Sequence, residues 1–144
     1  MDRDEFISIC NNKLKFVRTE FSFSQEKMAI MLGISKKTLV EIEKGRSSLG
    51  WSGSVVLCSI FCQSQILNDT FNSSPQEIIQ MIAFEKSEPD YKQANTVRIW
   101  WKTVTENENY IIEQNIVSQH YRLLTRDCKV VASSFNIDDL KDLM

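Results

Sequence analysis

Cations, rather than nucleophiles, are the side chains of this sequence whose types and spacing could do chemistry. Residues 10–50 hold eight basic side chains, Lys13, Lys15, Arg18, Lys27, Lys36, Lys37, Lys44 and Arg46, against Glu20, Glu26, Glu41 and Glu43. That segment carries +4, whereas residues 51–144 carry eight basic and twelve acidic residues, or −4. The net charge of −2 therefore hides a dipolar chain, which can set its positive end on phosphates while the rest keeps it dissolved. Metal chemistry is poorly provided for. Cys58 and Cys62 stand one helical turn apart, but a closed site needs two more ligands and His120 is the only histidine. The spacing also lacks the C-x-x-C pairs of zinc modules, so Cys10, Cys58, Cys62 and Cys128 read as buried thiols. With no glycine-rich phosphate loop, carboxylate cluster or nucleophile–base spacing, the chain reads as a non-enzyme without cofactor.

The elements that must position these cations are legible from apolar periodicity and from caps. Phe6, Ile9, Cys10, Leu14, Val17 and Phe21 recur at helical spacing over 5–21. Two short segments then share one grammar. Ser24 caps a helix over 25–32, with Phe23 and Met28 placed as a hydrophobic staple, and Ser35 caps one over 36–44, with Ile34 and Leu39 so placed. Gly33 and Gly45 stand where a left-handed residue would close each helix. Two short helices meeting at a tight glycine-containing turn form a helix-turn-helix. A small-residue, apolar helix is expected over 51–63, and a fifth over 75–86 with Pro75 in its first turn.

Residues 87–96 are polar, break the period and read as a linker. Beyond 97 the vocabulary becomes β-branched and aromatic. Strands are expected over 97–105, 110–117, 119–125 and 129–135, joined by polar hairpin connections at 106–109 and 126–128. Asn136 should cap a final short helix, with Phe135 stapled to Leu140 and Asp139 favouring its N-terminus. Trp100 and Trp101, adjacent in a strand, would face opposite sides, one in the core and the other at a surface or dimer interface. The expected class is α+β: a five-helix domain over 1–86, a linker over 87–96, and an antiparallel meander with a short terminal helix over 97–144.

From Leu14 to about Phe61 the chain resembles the lambda-repressor and Cro-like (XRE-type) helix-turn-helix regulators. The residues carrying the likeness are Arg18, the run Ser24-Gln25-Glu26-Lys27-Met28-Ala29, the run Leu32-Gly33-Ile34-Ser35-Lys36-Lys37-Thr38-Leu39, and Ile42-Glu43-Lys44-Gly45-Arg46. Met28 replaces a commoner Leu, a volume-conserving change. The resemblance implies duplex-DNA binding through Gln25, Ser35, Lys36, Lys37, Thr38, Glu41, Lys44 and Arg46. Gln25 would meet a phosphate, and Lys36 and Lys37 the O6 and N7 acceptors of guanine in the major groove. Glu41 would accept from cytosine N4 or orient a lysine, and Lys44 and Arg46 would meet phosphates. Arg18 and Glu43 would form a partly buried ion pair that sets the angle of the recognition helix, while Leu32, Leu39 and Ile42 are core.

The string Ile99-Trp100-Trp101-Lys102, with Glu113-Gln114-Asn115-Ile116 and His120-Tyr121-Arg122-Leu123, looks like a module that follows such motifs in small regulators of Firmicute type. It implies no defined activity. Packing or self-association of this aromatic half is favoured over a small-molecule partner, and a protein partner stays open. A homodimer is expected, with the sheet as its contact, although the 51–63 helix could be either interface or enclosed core. The rival reading is an antitoxin or antirepressor whose C-terminal half captures another protein. The chain has no run of about 18 apolar residues to span a membrane. Met1-Asp2-Arg3-Asp4-Glu5 is too acidic for a secretory signal, so a cytoplasmic location is expected.

Overall fold

The computed structural model describes residues 1–85 and 100–144. They belong to two compact units, one within Met1–Pro89 and one within Asp90–Met144. The expected linker at 87–96, and the part of the first expected strand before Trp100, lie outside the described residues. The class is α+β.

The first unit contains six helices among its described residues: α1 (Arg3–Glu20), α2 (Gln25–Leu32), α3 (Lys36–Glu43), α4 (Gly50–Ile60), α5 (Gln65–Phe71) and α6 (Pro75–Phe84). Five were expected, and α5 corrects that number. It is one seven-residue helix, too short for apolar periodicity to separate it from a loop. Its start nevertheless has a local cause, since Ser64 Oγ accepts from Leu67 N at 3.2 Å. α1 begins earlier than its periodicity suggests because Asp2 and Glu5 form a reciprocal capping box. α4 stops at Ile60 rather than 63.

The core of this unit is one cluster, with Phe6, Cys10, Leu14 and Val17 of α1 against Met28, Leu39, Leu57 and Leu67 of four other helices. Each fully buried Leu or Phe contributes roughly 1.5–3 kcal/mol of transfer free energy, so the packing of α1 against its neighbours dominates any single cap. Phe6 stacks on Phe71 of α5 and tilts against Trp51 of α4, with centroid distances of 5.5 and 5.6 Å. The α4 helix is only partly enclosed. Ser54, Leu57 and Cys58 are buried, while Ile60 is exposed.

The second unit is an antiparallel meander in the order β1 (Trp101–Glu106), β2 (Tyr110–Asn115), β3 (Tyr121–Thr125), β4 (Val130–Ser134), followed by α7 (Asp138–Lys141). Ile112 and Leu123 are paired across β2 and β3 and form, with Leu140, a second core to which Tyr110, Tyr121, Ile137 and Met144 add. Val104 and Val131 are the extra residues of bulges on the two edge strands, which interrupt their ladders. Three expectations are corrected here. Phe135 is not stapled to Leu140: it is 78% exposed, because the chain turns back to the sheet through Ser134, whose hydroxyl meets Asp139 Oδ2 at 2.6 Å. Asn136 is not the N-cap, although its Oδ1 accepts from Asp138 N at 3.1 Å. Neither tryptophan enters the core beneath α7, because β1 starts at Trp101 and leaves Trp100 exposed before it. Trp101 instead lies half-buried under the Arg122 guanidinium, 3.7 Å from its ring centre.

One long-range contact fixes α5. Glu20, at the end of α1, accepts from Gln65 N at 2.7 Å and from the buried Ser64 hydroxyl. Capping contacts of this type contribute about 1 kcal/mol. Glu20→Ala is therefore expected to lower the stability of the first unit by about that amount in urea unfolding. An unchanged midpoint would show that the contact carries no stability.

Candidate nucleic-acid interface

The helix-turn-helix is built by two helix endings of the same kind. At the end of α2, Gly33 adopts φ 72° and its N–H donates to Ile30 O, while Ile34 N donates to Ala29 O at 3.0 Å. At the end of α3, Gly45 adopts φ 74° and donates to Ile42 O, while Arg46 N donates to Glu41 O at 2.9 Å. Both closures require a left-handed residue, which costs a side chain about 1 kcal/mol that glycine avoids. Between them Ser35 accepts from Thr38 N at 3.0 Å and starts α3. Met28, Ala29 and Leu32 of α2 and Leu39 and Ile42 of α3 are all buried, so the opposite face of α3 is left to solvent.

That free face carries the cations. Lys36, Lys37, Lys44 and Arg46 are exposed, and Glu41 is half-buried. Lys36 Nζ meets Glu26 Oε1 of α2 at 3.0 Å, an ion pair between two exposed side chains and worth well under 1 kcal/mol. An incoming phosphate or base edge can displace it. Lys37 and Lys44 make no ion pair among the described residues, and Arg46 reaches Glu41 only at 4.0 Å. The Ser35 and Thr38 hydroxyls lie 2.8 Å apart and are engaged with each other and with the cap. Their first role is to hold the start of α3.

Behind this face lies a buried carboxylate. Glu43 Oε1 accepts from Arg18 Nε at 2.6 Å, and Oε2 accepts from Arg18 Nη2 at 3.2 Å. Arg18 and Glu43 are 16% and 6% exposed. The remaining arm of Arg18, Nη1, donates to Phe23 O at 3.0 Å in the turn between α1 and α2. Gln25 Nε2 also donates to Glu43 Oε2, at 3.0 Å, so the amide assigned to a phosphate is tied inward on at least one side. Burial alone would raise the Glu43 pKa. Hydrogen bonds from Arg18 and Gln25, with the charges of Arg18 and Lys15, outweigh it and hold the carboxyl below its ordinary value.

Sequence reasoning missed Asn11. Its Oδ1 accepts from Leu49 N at 2.9 Å and its Nδ2 donates to Ser48 Oγ at 3.0 Å, which anchors the segment after Arg46 to α1. No local signal marks an asparagine inside a helix as a tether to a loop 38 positions away. Lys27, one of the cations but assigned no contact from sequence, has its ammonium 4.3 Å from the Phe23 ring centre. No group of three or more potential metal ligands occurs among the described residues, and no helix there is long and apolar enough to cross a membrane.

The Arg18–Glu43 geometry generates two expected outcomes. Arg18→Ala leaves a carboxylate in a largely dry site and should cost about 3 kcal/mol, with most of that loss recovered on adding Glu43→Leu. A carboxyl depressed in the folded state contributes stability that is whole above its unfolded pKa and is lost as pH falls through the lower folded value. Stability of the first unit should thus begin to fall below about pH 4.3, and Glu43→Gln should remove that component. Amide hydrogen exchange of α1 and α3, measured from pH 7 downward, reads both.

No known family profile matches the chain, and no solved structure matches it. A search of curated proteins finds similarity to one from Pyrococcus horikoshii named "Putative HTH-type transcriptional regulatory protein PH1808". The two are 30% identical over 91 residues, which cover 56% of this chain and 29% of the relative's length. Over that stretch the chain is similar to a protein named as a helix-turn-helix regulator, and it spans less than a third of it.

Proposed function

We propose that this chain is a sequence-specific duplex-DNA-binding transcriptional regulator of the lambda-repressor and Cro-like (XRE) type, acting as a cytoplasmic repressor. The observation that carries the reading is the exposed first turn of α3, with Lys36 and Lys37 on it, held behind by the Arg18–Glu43–Gln25 contacts. A helix presented in this way fits a major groove with its N-terminal residues at base edges. Lys44 and Arg46, exposed just beyond α3, would meet the flanking phosphates. The name of the Pyrococcus horikoshii relative supports a DNA-binding regulator and is silent on repression. The proposed activity is binding, not catalysis.

The regulator is proposed to act as a homodimer. One helix-turn-helix covers a single half-site, and its affinity competes poorly with the rest of a genome. The second unit offers the contact, because exposed Trp100, Ile116, Val117 and Phe135 all stand at the end of the sheet where β1 and β3 begin and β2 and β4 finish. An isologous contact there would join two chains and so bring two α3 helices to one duplex. The same apolar end supports the rival reading, in which it captures a different protein as in an antitoxin or antirepressor.

Selection of bound sequences from a random duplex pool tests the reading. The expected result is a two-fold motif whose half-sites lie about 10 base pairs apart, from a protein that sediments as a dimer. Recovery of no motif would overturn the DNA reading, and a monomeric protein binding half-sites independently would overturn the dimer. On the selected site, Lys36→Ala and Lys37→Ala should each lose roughly 1–3 kcal/mol of discrimination between matched and mismatched bases. Lys44→Ala and Arg46→Ala should instead weaken all sequences alike and lower the slope of log affinity against log salt by about 0.9 each.

A further inference from the structure

Two sulfur atoms meet inside the first unit. Cys10 of α1 and Cys58 of α4 have their Sγ atoms 3.7 Å apart, and neither residue exposes any surface. They belong to the core that holds Phe6, Leu14 and Leu57. Each cysteine alone would be an ordinary small core residue. Their juxtaposition is what calls for chemistry, because it joins two helices 48 positions apart in sequence and every residue of α2 and α3 lies between them.

We propose that Cys10 and Cys58 are an oxidisable dithiol that a hydroperoxide converts to a disulfide bracketing the helix-turn-helix. An S–S bond is about 2.05 Å long, so the two sulfurs have less than about 2 Å to close. Either sulfur can donate in this contact, so either cysteine can attack first and give the same disulfide. The hydrogen bond with Cys58 lowers the Cys10 pKa against the effect of burial, which favours Cys10 as the attacker. The Cys10 thiolate, its proton passed to water, attacks one peroxide oxygen and forms a sulfenic acid as the O–O bond breaks and the other oxygen leaves, protonated, as water. The Cys58 sulfur then attacks the sulfenic sulfur, the S–O bond breaks, and the departing hydroxide takes the Cys58 proton. One dithiol and one hydrogen peroxide become one disulfide and two waters, the sulfurs losing the two electrons that the peroxide gains.

The surroundings select this outcome over metal capture. A bis-thiolate ion site would place net negative charge among phenylalanine and leucine side chains, and no third ligand stands with the pair among the described residues. A disulfide is neutral and apolar and suits such a core. Burial makes the reaction slow, since peroxide reaches the pair only when α1 and α4 part. The disulfide then removes freedom from the unfolded chain between positions 10 and 58, so the oxidised unit resists unfolding.

The test uses the full chain carrying Cys62→Ser and Cys128→Ser, positions that are half-buried and exposed and lie outside both cores. It is incubated with hydrogen peroxide for minutes to hours, then denatured without reductant and labelled with a maleimide. The expected result is loss of both labels together, a mass lower by two hydrogens, a Cys10–Cys58 linked peptide, and a first-unit melting temperature raised by several degrees, all reversed by dithiothreitol. The same linked peptide should be found in the unsubstituted protein, which covers the case in which the double variant folds poorly. Two thiols that stay fully labelled after prolonged exposure would overturn the proposal. So would sulfinic or sulfonic acid at either cysteine with no intramolecular link.

Discussion

A carboxylate that stands in the wrong place organises the first unit. Glu43 is the last residue of α3, where the helix carbonyls already concentrate negative charge, and it is almost completely removed from water. Both circumstances disfavour an ionised group. It stays ionised because Arg18 approaches with two nitrogens and Gln25 with a third. The cost of leaving it alone is several kcal/mol, far above the worth of any exposed pair on this surface. The end of α3 can therefore sit only where α1 and the start of α2 both reach it. Arg18 donates to Phe23 O as well, so the turn between α1 and α2 belongs to the same arrangement.

The exposed cations inherit their geometry from that constraint. Lys36 and Lys37 stand on the first turn of a helix whose start is defined by Ser35 and whose end is held by Glu43. Eight residues is too short for a stable isolated helix, so the direction of α3 is a property of the unit and not of the segment. Asn11 extends the same logic past α3 by holding Leu49 N and Ser48. Three polar side chains, Asn11, Arg18 and Glu20, thus project from one amphipathic helix to fix, in turn, the loop after α3, the end of α3 and the start of α5. α1 serves as both core and scaffold.

The second unit obeys different physics. Its four strands bury one face, and α7 is a single turn that closes it through Leu140. On the other face Arg122 lies between the Trp101 ring and Glu113, its cross-strand partner, donating to Glu113 Oε2 at 2.7 and 3.0 Å. A guanidinium stacked on an indole and paired with a carboxylate gives a half-buried sheet face specificity of register without a second hydrophobic layer. Cross-strand identity, not sequence proximity, makes this arrangement.

Local chemistry made much of this legible in advance. Ser24, Ser35, Gly33, Gly45 and Pro75 act within four residues of themselves, and they place helix boundaries wherever the chain goes. The β-branched and aromatic runs likewise marked four strands, because pleat and hairpin are near-neighbour matters. One short helix was not legible. α5 spans two turns, and its start depends on Glu20, 45 positions before Gln65. The terminal staple failed for the same reason in reverse, since Phe135 and Leu140 have the right spacing but the sheet and α7 present them to different surroundings. The resemblance assigns Gln25 to a phosphate, and only the tertiary structure sets its amide against Glu43. No spacing rule brings Cys10 to Cys58. The sequence by itself determined the other helices, the four strands and where the positive charge lies. Only the tertiary structure decided which polar groups meet across it, because such pairs depend on how helices cross, and crossing is set by the summed packing of the whole core.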